Sequence, residues 1–127
     1  MTYKELLDST IIRDVLEKSK SVIKIDTNDI KELFQQGDEV YTNDIKISAI
    51  VDKRMELIMS QIKESTNGIH AISRGMVYFF FPEDLPLMME ELKPFSEWIE
   101  SVPGEFMIKW GMGTHSVQEL RAIIILQ

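Results

Sequence analysis

The chain has 127 residues, of which 44% are hydrophobic, enough for one domain with a buried core. Its formal net charge of −7 argues against a surface that binds nucleic acid or an anionic membrane, and the absence of cysteine excludes disulfides and thiolate metal sites. No apolar run is long enough to span a membrane and the first residues lack a signal-peptide core, so we expect a cytoplasmic protein.

The first predicted element is a long N-terminal helix from Tyr3 to Ser21. Apolar residues recur at helical spacing along this segment and just beyond it: Leu7, Ile11, Val15 and Val22. This pattern predicts one amphipathic helix that packs its apolar stripe against the rest of the domain.

The next feature is an acidic corner, which we define as residues Ile23 to Asp29. Two carboxylates, Asp26 and Asp29, lie three residues apart where an extended apolar stretch is predicted to turn into a helix. One interpretation is structural, with Asp26 as the helix N-cap and Asp29 as the third helical residue, because both positions favour a carboxylate. The helix is expected to run from about Thr27 to Gln36.

The rest of the chain alternates between predicted strands and helices. In chain order we expect a short strand within Val40–Ile47, a helix over Ala49–Glu64, a strand over Gly75–Phe81, a helix from Asp84, a strand over Phe106–Trp110 and a strand over Glu119–Leu126. The continuous apolar run Gly75–Phe81 predicts a strand that is covered on both faces. Pro94 should kink or break the helix that contains it.

Gly111 and Gly113 predict a loop between the last two strands. A connection of about eight residues would make these strands antiparallel neighbours. The expected fold is therefore α/β (α+β), a single domain over residues 1–127 with a roughly four-stranded mixed sheet, helices packed on it and the long helix in front. If the first helix does not cover the second face of the sheet, a second copy of the chain must cover it, in a homodimer.

Few residues outside the acidic corner are arranged for chemistry. His70 and His115 are far apart and have no His or Cys nearby, which argues against a metal site. No glycine-rich loop follows a strand and opens a helix, so we do not expect the chain to bind a nucleotide by itself. Four scattered arginines are expected to be solvated or capping charges: Arg13, Arg54, Arg74 and Arg121.

From the acidic corner to its end, the chain resembles the C-terminal half of the FtsZ/tubulin filament GTPases. The resemblance rests on five segments. Ile25–Lys31 is similar to the family's synergy loop, and Arg74–Phe79 is similar to a core strand. Leu85–Glu91 is similar to the helix that follows that strand, and Ile108–Gly111 and Leu120–Leu126 are similar to the closing strands. It implies that residues 1–22 correspond to the interdomain helix of the family and residues 23–127 to its sheet domain.

The chain departs from the family pattern in three ways. The GTP-binding domain with its phosphate loop is absent from this sequence, Lys24 stands where bacterial members have Asn, and Pro82-Glu83 replaces a Gly-Gly. Pairing of Lys24 with one carboxylate of the corner would compete with a catalytic role.

In the family, a synergy-loop carboxylate of one subunit acts on the water that attacks the γ-phosphate of GTP in the next subunit. The resemblance therefore implies that Asp26 and Asp29 are catalytic in trans, and that the chain is not an enzyme on its own. No cofactor is expected to bind the chain alone. The chain is expected to contact GTP only when a partner binds it, and this partner is either a filament-forming GTPase or the chain's own N-terminal half.

Three hypotheses follow for the function. The chain is a module that regulates or completes a GTPase filament, or it is a fragment of a complete polymerising GTPase of cell division or plasmid segregation. The alternative is a compact oligomerising or ligand-binding domain in which the acidic corner is only a cap.

Overall fold

A computed structural model describes residues 1–17, 20–69 and 72–127 of the chain. The elements are α1 (Tyr3–Leu7), α2 (Thr10–Glu17), β1 (Lys20–Ile23), α3 (Thr27–Leu33), β2 (Tyr41–Ser48), α4 (Arg54–Thr66), β3 (Arg74–Pro82), a 3-10 turn (Met89–Leu92), α5 (Lys93–Ser101), β4 (Met107–His115) and β5 (Glu119–Leu126). None of these helices, within the described ranges, is long and apolar enough to cross a membrane.

The strands form one mixed sheet in the order β1-β4-β3-β5-β2. The central strand β3 pairs parallel with β4 and antiparallel with β5, while β1 and β2 form the two edges and pair antiparallel with β4 and β5. The predicted α+β class with a mixed sheet is confirmed. The sheet has five strands rather than four because Lys20 and Ser21, predicted as the end of the first helix, belong to the strand β1, which pairs with β4.

The predicted pairing of the last two strands is wrong. Val77 of β3 aligns with Trp110 of β4 on one side and with Ile124 of β5 on the other, so β3 separates the two strands. Gly111 and Gly113 lie inside β4 rather than in a loop. A Cβ atom on Gly111 would lie 2.5 Å from the carbonyl oxygen of Ile23, so the glycine permits the close approach of the chain at β1.

The central strand is buried on both faces, as its continuous apolar run predicts. Val77, Phe79 and Phe81 belong to the core under α4 and α5, whereas Tyr78 and Phe80 belong to the core under α1, α2 and α3. Each face of the sheet therefore has its own helical layer. The sheet does not need a second copy of the chain as a cover, which removes the physical reason for expecting a homodimer.

The N-terminal segment does not form the single helix expected from Tyr3 to Ser21. The helix breaks between α1 and α2, where Ser9 Oγ donates a hydrogen bond to the Leu6 carbonyl at 2.6 Å and accepts one from the Ile12 amide at 3.4 Å. These side-chain bonds replace helical backbone bonds at the break. Lys18 and Ser19, within the predicted helix, lie outside the described residues.

Three helix boundaries also differ from the sequence prediction. The helix α4 begins at Arg54 rather than Ala49, because Lys53 adopts a left-handed conformation with φ 53° and ψ 43°. Pro94 lies in the first turn of α5, where proline is tolerated, and not inside a helix that starts near Asp84. The helix α3 ends at Leu33 because Phe34 is already extended.

The acidic corner as candidate functional site

The two carboxylates of the acidic corner form a reciprocal capping box at the start of α3. The Asp29 amide donates to Asp26 Oδ1 at 2.9 Å, and the Asp26 amide donates to Asp29 Oδ2 at 2.9 Å. The flanking residues Ile25 and Ile30 are both buried and anchor the corner to the core under α3. The predicted N-cap is confirmed, and it fixes the backbone of the corner.

A lysine from β4 reaches the same corner. Lys109 Nζ lies 3.1 Å from Asp29 Oδ1 and 3.3 Å from Glu32 Oε2. The hydrogen bond from the Asp26 amide lowers the pKa of Asp29, and Lys109 lowers it further. The hydrogen bond to Asp29 correspondingly raises the pKa of Lys109. Asp29 is therefore held ionised, with both of its oxygens engaged inside the domain.

Asp26 differs from Asp29 in what it leaves accessible. Its side chain is exposed, and its Oδ2 atom has no hydrogen-bond partner among the described residues. Lys24 is also exposed and forms no ion pair with either carboxylate in the described structure. The predicted competition from Lys24 is thus not observed, and the cation at the corner is Lys109. The corner presents one free carboxylate oxygen on a fixed backbone.

Two of the four arginines are clamps rather than solvated charges, which contradicts the sequence prediction. Arg121 donates to both oxygens of Asp44 at 2.8 and 2.7 Å and to Asp14 at 2.8 Å, and its guanidinium lies 5.0 Å from the centre of the Phe80 ring. Asp44 and Asp14 raise the pKa of Arg121. This group ties α2 to the two strands β2 and β5.

Arg54 forms the second clamp, at the start of α4. It donates to both carboxylate oxygens of Glu91 at 2.7 and 3.0 Å, to the Pro86 carbonyl at 2.9 Å and to the Ala49 carbonyl at 3.2 Å. The pKa of Glu91 is lowered, chiefly by this hydrogen bonding from Arg54. The clamp joins α4 to the segment that precedes α5.

Of the two histidines, only His115 lies among the described residues. His115 Nε2 lies 2.7 Å from the Glu119 carbonyl oxygen, where it bridges the ends of β4 and β5. His70 lies outside the described residues. Within the ranges that are described, no group of three His, Cys, Asp or Glu side chains is placed to hold a metal ion.

Sequence comparison finds no match, either among known protein families or among curated proteins. Solved structures do match. FtsZ from M. jannaschii superposes on this chain with a TM-score of 0.67 at 18% identity. The match covers 98% of this chain and 40% of the FtsZ chain. The TubZ-Bt four-stranded filament gives a TM-score of 0.62 at 13% identity, over 99% of this chain and 34% of its own. GDP-bound CetZ1 from Haloferax volcanii gives a TM-score of 0.58 at 15% identity. The match covers 80% of this chain and 33% of the CetZ1 chain.

The chain has the fold of the tubulin/FtsZ superfamily. It spans between 33% and 40% of the length of these structures, which is consistent with the C-terminal domain that the sequence resemblance implies. We refer to the chain below as the domain. The correspondence of residues 1–22 to an interdomain helix and of residues 23–127 to the sheet domain stays a prediction.

Proposed function

We propose that the chain is an assembly domain that places its acidic corner on the nucleotide of a GTPase subunit in a filament. The partner is a separate filament-forming GTPase or the N-terminal half of the same protein, in the cytoplasm. The proposal draws support from the shared fold, since CetZ2 from Haloferax volcanii was solved as a GTPγS-bound protofilament and TubZ-Bt as a filament. The observation that carries it is the capping box that leaves Asp26 exposed.

In the proposed mechanism Asp26 and Asp29 have different tasks. Asp26 Oδ2 accepts a hydrogen bond from the water that attacks the γ-phosphate, which orients that water in line with the leaving group. Asp29 holds the backbone of the corner through the capping box, and Lys109 keeps the Asp29 carboxylate in place. The GTP and its phosphate-binding loop belong to the partner, so the domain has no GTPase activity by itself.

A second candidate function is a binding domain with no link to a GTPase. The observation that favours it is an open groove of about 1090 Å³ beside the start of α4. A small-molecule site usually has several polar groups aimed into an apolar cavity. At this groove the polar side chain of Arg54 already donates to Glu91, Ala49 and Pro86, so the groove suits a macromolecular surface better than a small ligand.

The experiment that tests the proposed function is phosphate release by a filament GTPase in the presence of increasing concentrations of the domain. The domain should change the rate of GTP hydrolysis, and Asp26→Ala combined with Asp29→Ala should remove that change. Asp8→Asn is a control because it removes one exposed carboxylate at the C-cap of α1, outside the corner. An unchanged rate and unchanged polymer mass at saturating domain would contradict the proposal.

A further inference from the structure

A groove lies on the side of the sheet opposite the acidic corner, between the connection from β2 to α4 and the segment that leads from β3 to α5. We call it the Met88 groove. Its exposed apolar residues are Ile50, Val51 and Met88, with exposed fractions of 76%, 37% and 54%. The neighbouring Met89 is 81% exposed. Clustered exposed apolar side chains of this kind mark interaction surfaces more often than scattered ones do.

The two walls of the Met88 groove are fastened to each other. Arg54 donates to the Ala49 carbonyl on one wall and to the Pro86 carbonyl and the Glu91 carboxylate on the other. Glu91 Oε1 also accepts a hydrogen bond from the Met88 amide at 3.0 Å. The groove is therefore already formed before anything binds, which lowers the entropic cost of binding.

The backbone at the lip of the groove is unusual. Lys53 has a φ of 53°, in the left-handed region. It is the only non-glycine residue with a positive φ in the described ranges. A lysine in this conformation is strained relative to a right-handed one. Lys53 lies between the connection that contains Ile50 and Val51 and the first residue of α4. Its backbone conformation therefore fixes the direction in which this connection enters the helix.

The charges around the groove indicate the kind of partner. Arg54 and Glu91 neutralise each other in the clamp. Among the remaining charged residues that line the groove, carboxylates outnumber lysines by five to three. A lining that combines exposed apolar side chains with an excess of carboxylates complements a partner surface that combines apolar and basic side chains.

We propose that the Met88 groove binds an amphipathic helix of a protein partner, with an apolar face flanked by lysine or arginine. A helix fits better than an extended strand, because the groove walls are α4, α5 and two connections and include no sheet edge. Methionines suit such a contact since their flexible side chains adapt to the shape of the bound face. This inference is independent of the proposed function at the acidic corner.

The test uses a 14-residue peptide of leucine and lysine at helical spacing as the probe, with a leucine and glutamate peptide of the same pattern for comparison. Methyl NMR of the methionines should show shifts for Met88 and Met89 on addition of the lysine peptide. We expect its affinity to be at least tenfold higher than that of the glutamate peptide. Equal affinities, or shifts confined to methionines outside the groove, would overturn the proposal.

A matched pair of variants separates the groove from the general negative charge of the domain. Ile50→Lys with Met88→Lys should weaken binding of the lysine peptide at least tenfold. Met107→Lys with Val117→Lys adds the same charge at exposed apolar residues outside the groove and should have a much smaller effect. Equal weakening by both pairs would overturn the proposal. So would a dimer in sedimentation that only the first pair dissociates, because the groove would then hold a second copy.

Discussion

Lys109 Nζ lies 3.1 Å from Asp29 Oδ1, a contact between residues that are 80 positions apart in the sequence. It joins the strand β4 to the helix α3 at the acidic corner. The contact occupies one of the two candidate carboxylates and leaves Asp26 as the exposed one. The two aspartates, alike in the sequence, are therefore different in the folded domain.

The ion pair of Lys109 should contribute little to stability. Both side chains are about one third exposed, at 33% and 32%, and exposed ion pairs are worth less than about 1 kcal/mol. Lys109→Gln should lower the free energy of unfolding in urea by no more than that, and the loss should shrink at high salt. Lys24→Gln, at an exposed lysine of the same corner, should leave stability unchanged. A salt-independent loss above about 2 kcal/mol would mean that Lys109 is a packing residue.

The cap at Asp26 should be separable from its charge. Asp26→Ala should lower the free energy of unfolding by about 1 kcal/mol, because the Asp29 amide loses its acceptor. Asp26→Asn keeps an acceptor oxygen and should change stability by no more than a few tenths of a kcal/mol. Thermal or urea unfolding of the two variants measures the difference. Equal losses would contradict the cap.

The Arg54 clamp should be among the most sensitive sites in the domain. Arg54→Met leaves two carbonyls without this donor and the Glu91 carboxylate with only the Met88 amide, and the loss at this partly buried group should be about 2 kcal/mol. Arg13→Met, at an exposed arginine of α2, should cost less than about 0.5 kcal/mol. Urea unfolding compares the two variants, and similar values would contradict the role of the clamp.

Stability should fall in acid partly because of Glu91. Its pKa is lower in the folded domain than its usual value, so its contribution is present above the unfolded pKa of about 4.3 and is lost as the pH falls through the folded pKa. Glu91→Gln should therefore flatten the dependence of unfolding free energy on pH below about pH 5. Glu100→Gln, an exposed glutamate on α5, serves as the control. An unchanged slope in Glu91→Gln would contradict this linkage.

Gly111 should not tolerate a side chain. A Cβ atom there would meet the Ile23 carbonyl oxygen at 2.5 Å and Tyr78 at 3.0 Å, so Gly111→Ala should cost roughly 1–3 kcal/mol and loosen β1. Gly37→Ala meets no atom within 4 Å and should be tolerated. Amide exchange at Lys20–Ile23 reports on β1. Unchanged protection in Gly111→Ala would contradict the close approach.

The sequence predicted those features that depend on neighbouring residues. The capping box of Asp26 and Asp29 is local, and the apolar run Gly75–Phe81 needs no partner to reveal a buried strand. The pairing of β4 with β3 instead of β5 could not be predicted, because two glycines inside a strand have the same composition as a turn. Only the folded strand shows that Gly111 makes room for the chain at Ile23.

The clamps and the lysine at the corner were missed for a related reason. Arg54 pairs with Glu91 across 37 positions and Arg121 with Asp44 across 77, so no spacing rule links them. For Lys109 the sequence contained a weak indication. Because it lies between Ile108 and Trp110 in a strand, its side chain is expected on the face of β4 opposite to theirs. Whether that face meets α3 depends on the order of the strands, which the sequence did not predict.

The role of Asp26 is best tested through GTP hydrolysis by a tubulin/FtsZ-type GTPase that is recovered with the domain from native lysate. We expect the domain to change the hydrolysis rate, and we expect Asp26→Asn to abolish that change while keeping wild-type stability. Ile50→Lys with Met88→Lys should leave the effect intact, which separates the corner from the groove. An effect that survives Asp26→Asn, or no GTPase of this type among the bound proteins, would mean that the acidic corner does not act on a partner's nucleotide.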